Sequence, residues 1–142
     1  MPAKLTTTIK NIDIKVTNQT NRQIINDFYE YLQNRDTSEN YQNGLLKVLI
    51  RYAEHLGNHT TFYQIQEKEQ ILDFLDLKRK IDKDDPDKKW ITTWNDYLWR
   101  LKMFYRWLYN VKIKENNHQN YYNISNWIHQ ILLISIKRKQ RD

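Results

Sequence analysis

Apolar positions recur at spacings of three and four in four stretches of the chain, and that period predicts four helices. The longest stretch, 88–110, contains neither Gly nor Pro. Ile91, Trp94, Leu98, Leu101, Tyr105 and Leu108 form one stripe along it, as a core-facing side requires. Over 21–34 the apolar face is Ile24, Ile25, Phe28, Tyr29 and Leu32, with Thr20 or Asn21 placed to accept from the first-turn amides. Over 39–56 it is Tyr41, Leu45, Val48, Leu49, Tyr52 and Leu56. Ser38 is the expected N-cap there, and Gly57 sits where a left-handed C-terminal residue belongs. A third helix is expected from 66 or 67 to 80, on Ile71, Leu72, Phe74, Leu75 and Leu77. It closes with Lys78, Arg79 and Lys80, cations that suit a helix C-terminus. Asp87 is placed to cap 88–110.

The pattern weakens at both ends. Ile9, Ile12, Ile14 and Val16 alternate loosely in a Thr- and Lys-rich segment. With no partner strand in reach, 1–18 is expected to be a mobile N-terminal arm. Residues 111–120 are rich in Asn and Lys and read as a linker. Residues 121–136 turn apolar again. Ile124, Trp127, Ile128, Ile131 and Leu132 fit a helix, while 131–136 fits a strand equally well. The expected architecture is therefore all-α. Four helices in two antiparallel hairpins fill 19–110, followed by a linker and a helical or extended tail over 111–142.

Composition narrows the class. The chain has 142 residues, 39% hydrophobic and 13% aromatic, including five Trp and ten Tyr. Large aromatic side chains let a lowish apolar fraction build a core. There is no cysteine, so disulfides and thiolate metal sites are excluded and a cytoplasmic setting fits. The longest apolar run, 131–134, is far short of the ~18–20 residues of a membrane span. No membrane partner is expected. The net charge is +6 and the pI about 9.4, a balance that suits a polyanionic partner.

Motifs for chemistry are few. His55 and His59 are four apart, but Gly57 and Asn58 interrupt the helix between them, and no metal site is expected. Asp82, Asp84, Asp85 and Asp87 are interleaved with Lys and lack the central Gly and terminal Glu of a calcium loop. A solvated charge run is the plainer reading. The chain has no Gly-rich phosphate loop and no Gly-flanked nucleophilic Ser. No cofactor and no catalysis are expected.

Two polar stripes remain. One is Asn40, Asn43, Lys47 and Arg51, and the other is Thr92, Asn95, Trp99, Lys102 and Arg106. Lys and Arg neutralise phosphates and release counterions. Asn pairs with adenine and Arg with guanine when they reach a major groove. Trp99 beside Lys102 suits packing on a sugar or a base. The plain alternative for each stripe is a solvated helix face.

Two local patterns carry a family resemblance. Residues 38–56, with a small polar residue after the turn and an apolar or aromatic residue every four positions, resemble the second helix of the N-terminal core-binding domain of tyrosine recombinases, the phage integrase superfamily. Residues 97–108 read Tyr-Leu-Trp-Arg-Leu-Lys-Met-Phe-Tyr-Arg-Trp-Leu and are similar to a pattern of that domain's fourth helix, in the style of archaeal integrases. The resemblance covers 19–110 and implies an orthogonal, SAM-like bundle of four helices that forms half of a clamp on duplex DNA. It implies DNA contacts at Asn43, Lys47 and Arg51, and at Asn95, Lys102 and Arg106. Tyr41 stands where the family often has Thr, so that phosphate contact is not carried over. The family's catalytic half has an Arg, a His-x-x-Arg and a nucleophilic Tyr. No His here is followed three residues later by Arg.

The expected function is double-stranded DNA binding in integration or recombination, without catalysis. The alternative is a protein-interaction module, its apolar tail docking a full-length recombinase or a second copy of the chain.

Overall fold

The computed structural model describes residues 3–113 and 130–139. Their regular elements are all helical: α1 (Ala3–Lys15), α2 (Gln19–Asn34), α3 (Glu39–Leu56), α4 (Lys68–Leu75) and α5 (Lys89–Trp107). Short 3-10 turns at Phe62–Gln64 and Asp76–Lys78 and a π-helical segment at Leu108–Ile113 complete them. The chain divides into two compact units, Met1–Gln64 and Ile65–Asp142. The boundary falls inside the stretch 19–110.

In the first unit, α1 corrects the expectation of a mobile N-terminal arm. Leu5, Thr8, Ile12 and Val16 are all buried, and their spacings of three, four and four are those of a helix face. Ile14 points outward and is 73% exposed, so the loose alternation of Ile12, Ile14 and Val16 does not trace the buried face. Thr8 is tolerated at a core position because its hydroxyl reaches the Lys4 carbonyl at 2.8 Å and Asn43 Oδ1 at 2.5 Å. Burying Leu5, Ile12 and Val16 contributes roughly 1.5–3 kcal/mol each. The helix packs mainly against α3, and less closely against α2.

The α2–α3 connection is fixed by side chains. Asp36 adopts a left-handed φ of 57°. Thr37 donates to the Leu32 carbonyl at 2.8 Å, and buried Gln42 donates back to the Thr37 carbonyl at 3.1 Å. Ser38 caps α3 by accepting from the Tyr41 amide at 3.1 Å. Gly57 ends it with φ 78°, its amide donating to the Ala53 carbonyl. The cap of α2 is Asn18, two or three positions ahead of the expected Thr20 or Asn21. Asn21 is instead fully buried. It donates to the Thr60 carbonyl and accepts from the Phe62 amide, both at 2.9 Å, and so anchors the loop after α3. Phe62 then stacks on Tyr52, ring centroids 5.8 Å apart.

The second unit is built on α5. Every member of the expected stripe is buried, from Ile91 to Leu108. Tyr97, Phe104, Trp107 and Tyr109 are buried beside them, which makes the core face wider than one stripe. Phe74 of α4 stacks on Tyr97 at 6.0 Å, and Trp94 donates its indole N–H to Asp76 at 3.1 Å. The α-helical part of the third predicted helix is shorter than expected. It begins at Lys68, with Gln70 accepting from the Glu67 amide, and gives way to a 3-10 turn at Asp76.

Asp87 is not the cap of α5. Lys88 takes the N-cap position in a left-handed conformation, φ 53° and ψ 42°, with no side-chain cap of its own. Asp85 reaches over it and accepts from the Trp90 amide at 2.8 Å. Asp85 is thereby buried, whereas Asp82, Asp84 and Asp87 are exposed. The amide bond from Trp90 is the main cause holding its carboxyl below the ordinary 3.8, against the opposing effect of burial.

The tail is part of this unit where it is described. Residues 130–132 are helical and 134–139 are irregular, so neither a single helix nor a strand runs through to Ile136. Ile131 and Ile134 are buried. The predicted linker beyond 113 and the candidate helix positions Ile124, Trp127 and Ile128 lie outside the described residues.

Candidate nucleic-acid interface

The two polar stripes lie one in each unit. On α3, Lys47 and Arg51 are exposed one turn apart. Asn43 is half-buried, with the Thr8 hydroxyl of α1 on its side-chain oxygen. Asn40 is exposed at the start of the helix. The helix thus presents its cations to solvent and uses one Asn to hold α1.

On α5, Thr92 and Arg106 are exposed and Trp99 is 48% exposed. Asn95 and Lys102 are committed within the chain. Asn95 Nδ2 donates to the Lys137 carbonyl and its Oδ1 accepts from the Lys137 amide, both at 2.8 Å. Lys102 Nζ donates to the Ile134 carbonyl at 2.5 Å. Burial first, and the nearby Arg106 charge second, lower the Lys102 pKa from its ordinary 10.5. Two of the five α5 candidates therefore bind the C-terminal segment 134–137. Both are held against that segment, whereas Thr92, Trp99 and Arg106 are exposed.

The α5 surface is also ringed by cations laid on aromatic rings. Lys78 Nζ lies 4.8 Å from the Tyr97 centroid, the Arg79 guanidinium 5.4 Å from that of Trp90, and Lys137 Nζ 4.8 Å from that of Trp94. Arg79 is also bonded to Asp76 at 3.2 Å, the same carboxylate that takes the Trp94 indole N–H. Residues 78–80 look like ordinary C-terminal helix cations in the sequence, and 137–141 a basic tail. Their juxtaposition depends on Asn95 holding Lys137 from 42 positions away, and no local pattern shows it. The available signal was an Asn on a helix face next to the core stripe.

Among the described residues no group of three or more His, Cys, Asp or Glu is placed to hold a metal ion. No helix among them is long and apolar enough to cross a membrane. Compared with protein-family models, with curated proteins and with solved structures, the chain matches none.

Proposed function

We propose that this chain binds double-stranded DNA as a non-catalytic module of the kind the tyrosine recombinases use for core binding. The observation that carries the reading is the exposure of Lys47 and Arg51 on α3, and of Trp99 and Arg106 on α5, in a chain of net charge +6. These are the positions at which spacing alone placed polar, cationic faces. Exposed cations at one-turn spacing suit successive phosphates, and an exposed indole suits a sugar or base face. The recombination context rests on the residue patterns at 38–56 and 97–108. In that context the chain supplies DNA contact and strand exchange belongs to other residues.

The test is fluorescence anisotropy with a labelled duplex across a salt series. Binding whose log affinity falls linearly with log salt, and which weakens at least tenfold in K47E/R51E and in R106E, supports the reading. No duplex binding at 50 mM salt overturns it.

A second reading has its own observation. Leu133 and Ile136 are 76% and 59% exposed on either side of buried Ile134. That pair suits self-association or docking of a partner protein through the C-terminal segment. Analytical ultracentrifugation of L133S/I136S against the parent chain tests it. A dimer that dissociates in the variant supports it, and a monomeric parent removes self-association.

A further inference from the structure

A cavity of about 440 Å³ in the second unit opens between the segment after α4, the start of α5 and the C-terminal residues. Five of its lining side chains are cations: Arg79, Lys80, Lys88, Lys137 and Arg138. Against them stand one lining carboxylate, Asp82, and the Asp76 carboxylate that pairs with Arg79. Trp90 supplies an aromatic wall. The neighbouring cavity near Asp84, Asp85 and Asp87 is different in kind, because three lysines there face three carboxylates. A surplus of positive charge is thus a property of the first cavity and not of the whole loop.

That surplus is held in place. Arg79 is fixed between the Asp76 carboxylate and the Trp90 ring. Lys137 is fixed through its backbone by Asn95 and through its ammonium by the Trp94 ring. Lys88 enters the cavity from a left-handed backbone, a conformation that costs a non-Gly residue energy and that tends to mark functional sites. The helix terminus itself is not the attraction, since Asp85 already takes the Trp90 amide. Like charges gathered at this density repel one another, and an anion between them reverses the sign of that interaction. Arg presents a fork that matches phosphate oxygens, and Lys supplies a point charge.

We propose that this cavity is a phosphate-binding site, with Lys80, Lys88 and Arg138 as the phosphate contacts and Trp90 as the wall for an attached sugar or base. The ligand chemistry is a phosphate ester. It comes either from the backbone of bound DNA or from a free nucleotide. In its DNA form the proposal rests on the DNA-binding reading above, and it adds to the exposed α3 and α5 faces an anchoring phosphate at a site completed by the C-terminal segment.

The experiment uses the full chain and two probes, a labelled duplex and ATP. Anisotropy reports the duplex, and the Trp90 indole N–H shift in a ¹⁵N–¹H spectrum reports either probe. The variant is K80A/R138A, both exposed side chains, with K47A/R51A as the control on the other unit. For a DNA source, K80A/R138A weakens duplex binding at least tenfold and lowers the salt slope by about two. For a free-nucleotide source, ATP shifts the Trp90 signal in the parent and not in K80A/R138A, and the duplex does not. Either result supports a phosphate site. If neither probe shifts Trp90 and K80A/R138A leaves duplex binding unchanged, the proposal is overturned. The DNA-binding reading survives that result if K47A/R51A still loses affinity. A parent chain that binds no duplex overturns the DNA reading, and the ATP arm alone then decides the cavity.

Discussion

Asn95 and Lys137 form a closed pair: one amide side chain satisfies both the N–H and the C=O of one backbone residue, each at 2.8 Å. This is the bonding of a β-ladder supplied by a single side chain. It fixes where the last described residues run and, through them, where Lys137 and Arg138 point their charge.

Asn95→Ala removes both bonds and leaves the Lys137 backbone to water. The loss is expected to be about 1–3 kcal/mol, two hydrogen bonds at about 0.5–1.5 kcal/mol each. Urea denaturation measures it. Amide exchange at residues 134–138 is expected to speed up before any change is seen in α5. Asn95→Asp keeps the acceptor but sets a carboxylate against the Lys137 carbonyl, so it rescues little. If exchange across the segment is unchanged in N95A, the pair does not hold the tail.

Asp85 gives a pH dependence with a definite sign. Its carboxyl is held below the ordinary 3.8, chiefly by the Trp90 amide. A depressed folded pKa contributes stability that is complete above the unfolded value and is lost as pH falls through the folded one. Acid unfolding of the parent is therefore expected to steepen below about pH 4. Asp85→Asn retains an acceptor oxygen for Trp90 but cannot titrate, so its Tm is expected to fall less steeply with acid. Asp85→Ala loses the cap and lowers Tm across the whole pH range. Thermal melts from pH 2 to 7 separate the three.

The helices were legible where one apolar stripe and one capping residue agree, as at Ser38 and Gly57 around α3. The stripe of α5 was readable for the same reason. Legibility failed where a polar residue does apolar work. Thr8 occupies a core position of α1, so its apolar face is broken and the segment reads as a mobile arm. Asn21 looked like a cap and is a buried loop anchor. Asp85 caps from four positions before the helix because Lys88 turns left-handed, and no one-residue rule anticipates that. The same limit applies to the candidate interface. Spacing identified a polar face on α5, but long-range bonds decide which members meet solvent. Asn95 and Lys102 are polar on the right face and engaged by the tail, while Thr92, Trp99 and Arg106 remain exposed.

Asn21 allows a sharper stability test than any apolar core residue. Its amide satisfies the Thr60 carbonyl and the Phe62 amide, and Phe62 carries the stacked ring on Tyr52. Asn21→Leu fills similar volume but orphans both backbone groups. Leaving a buried group unsatisfied costs about 1–3 kcal/mol, so N21L is expected to lose about 2–5 kcal/mol despite its greater hydrophobicity. Asn21→Ala allows water to enter and is expected to lose less. Urea midpoints for both variants check the order. A more stable N21L contradicts the anchoring role.

Removing residues 130–142 is the natural way to ask whether the tail binds a partner, and the structure says why it misleads. Ile131 and Ile134 are buried, and re-exposing their surroundings forfeits roughly 1.5–3 kcal/mol for each. The Asn95 and Lys102 bonds to this segment are lost as well. Against a typical total of about 5–15 kcal/mol, the truncated chain is expected to be partly unfolded at 37 °C. Any loss of DNA or partner binding would then report folding. Leu133 and Ile136 offer the clean alternative, because both are exposed and flank the buried positions. L133S/I136S is expected to keep the parent's unfolding free energy in urea titrations to within about 0.5 kcal/mol, as surface substitutions usually do. An association that it abolishes belongs to the tail surface, and one that only the truncation abolishes belongs to the fold.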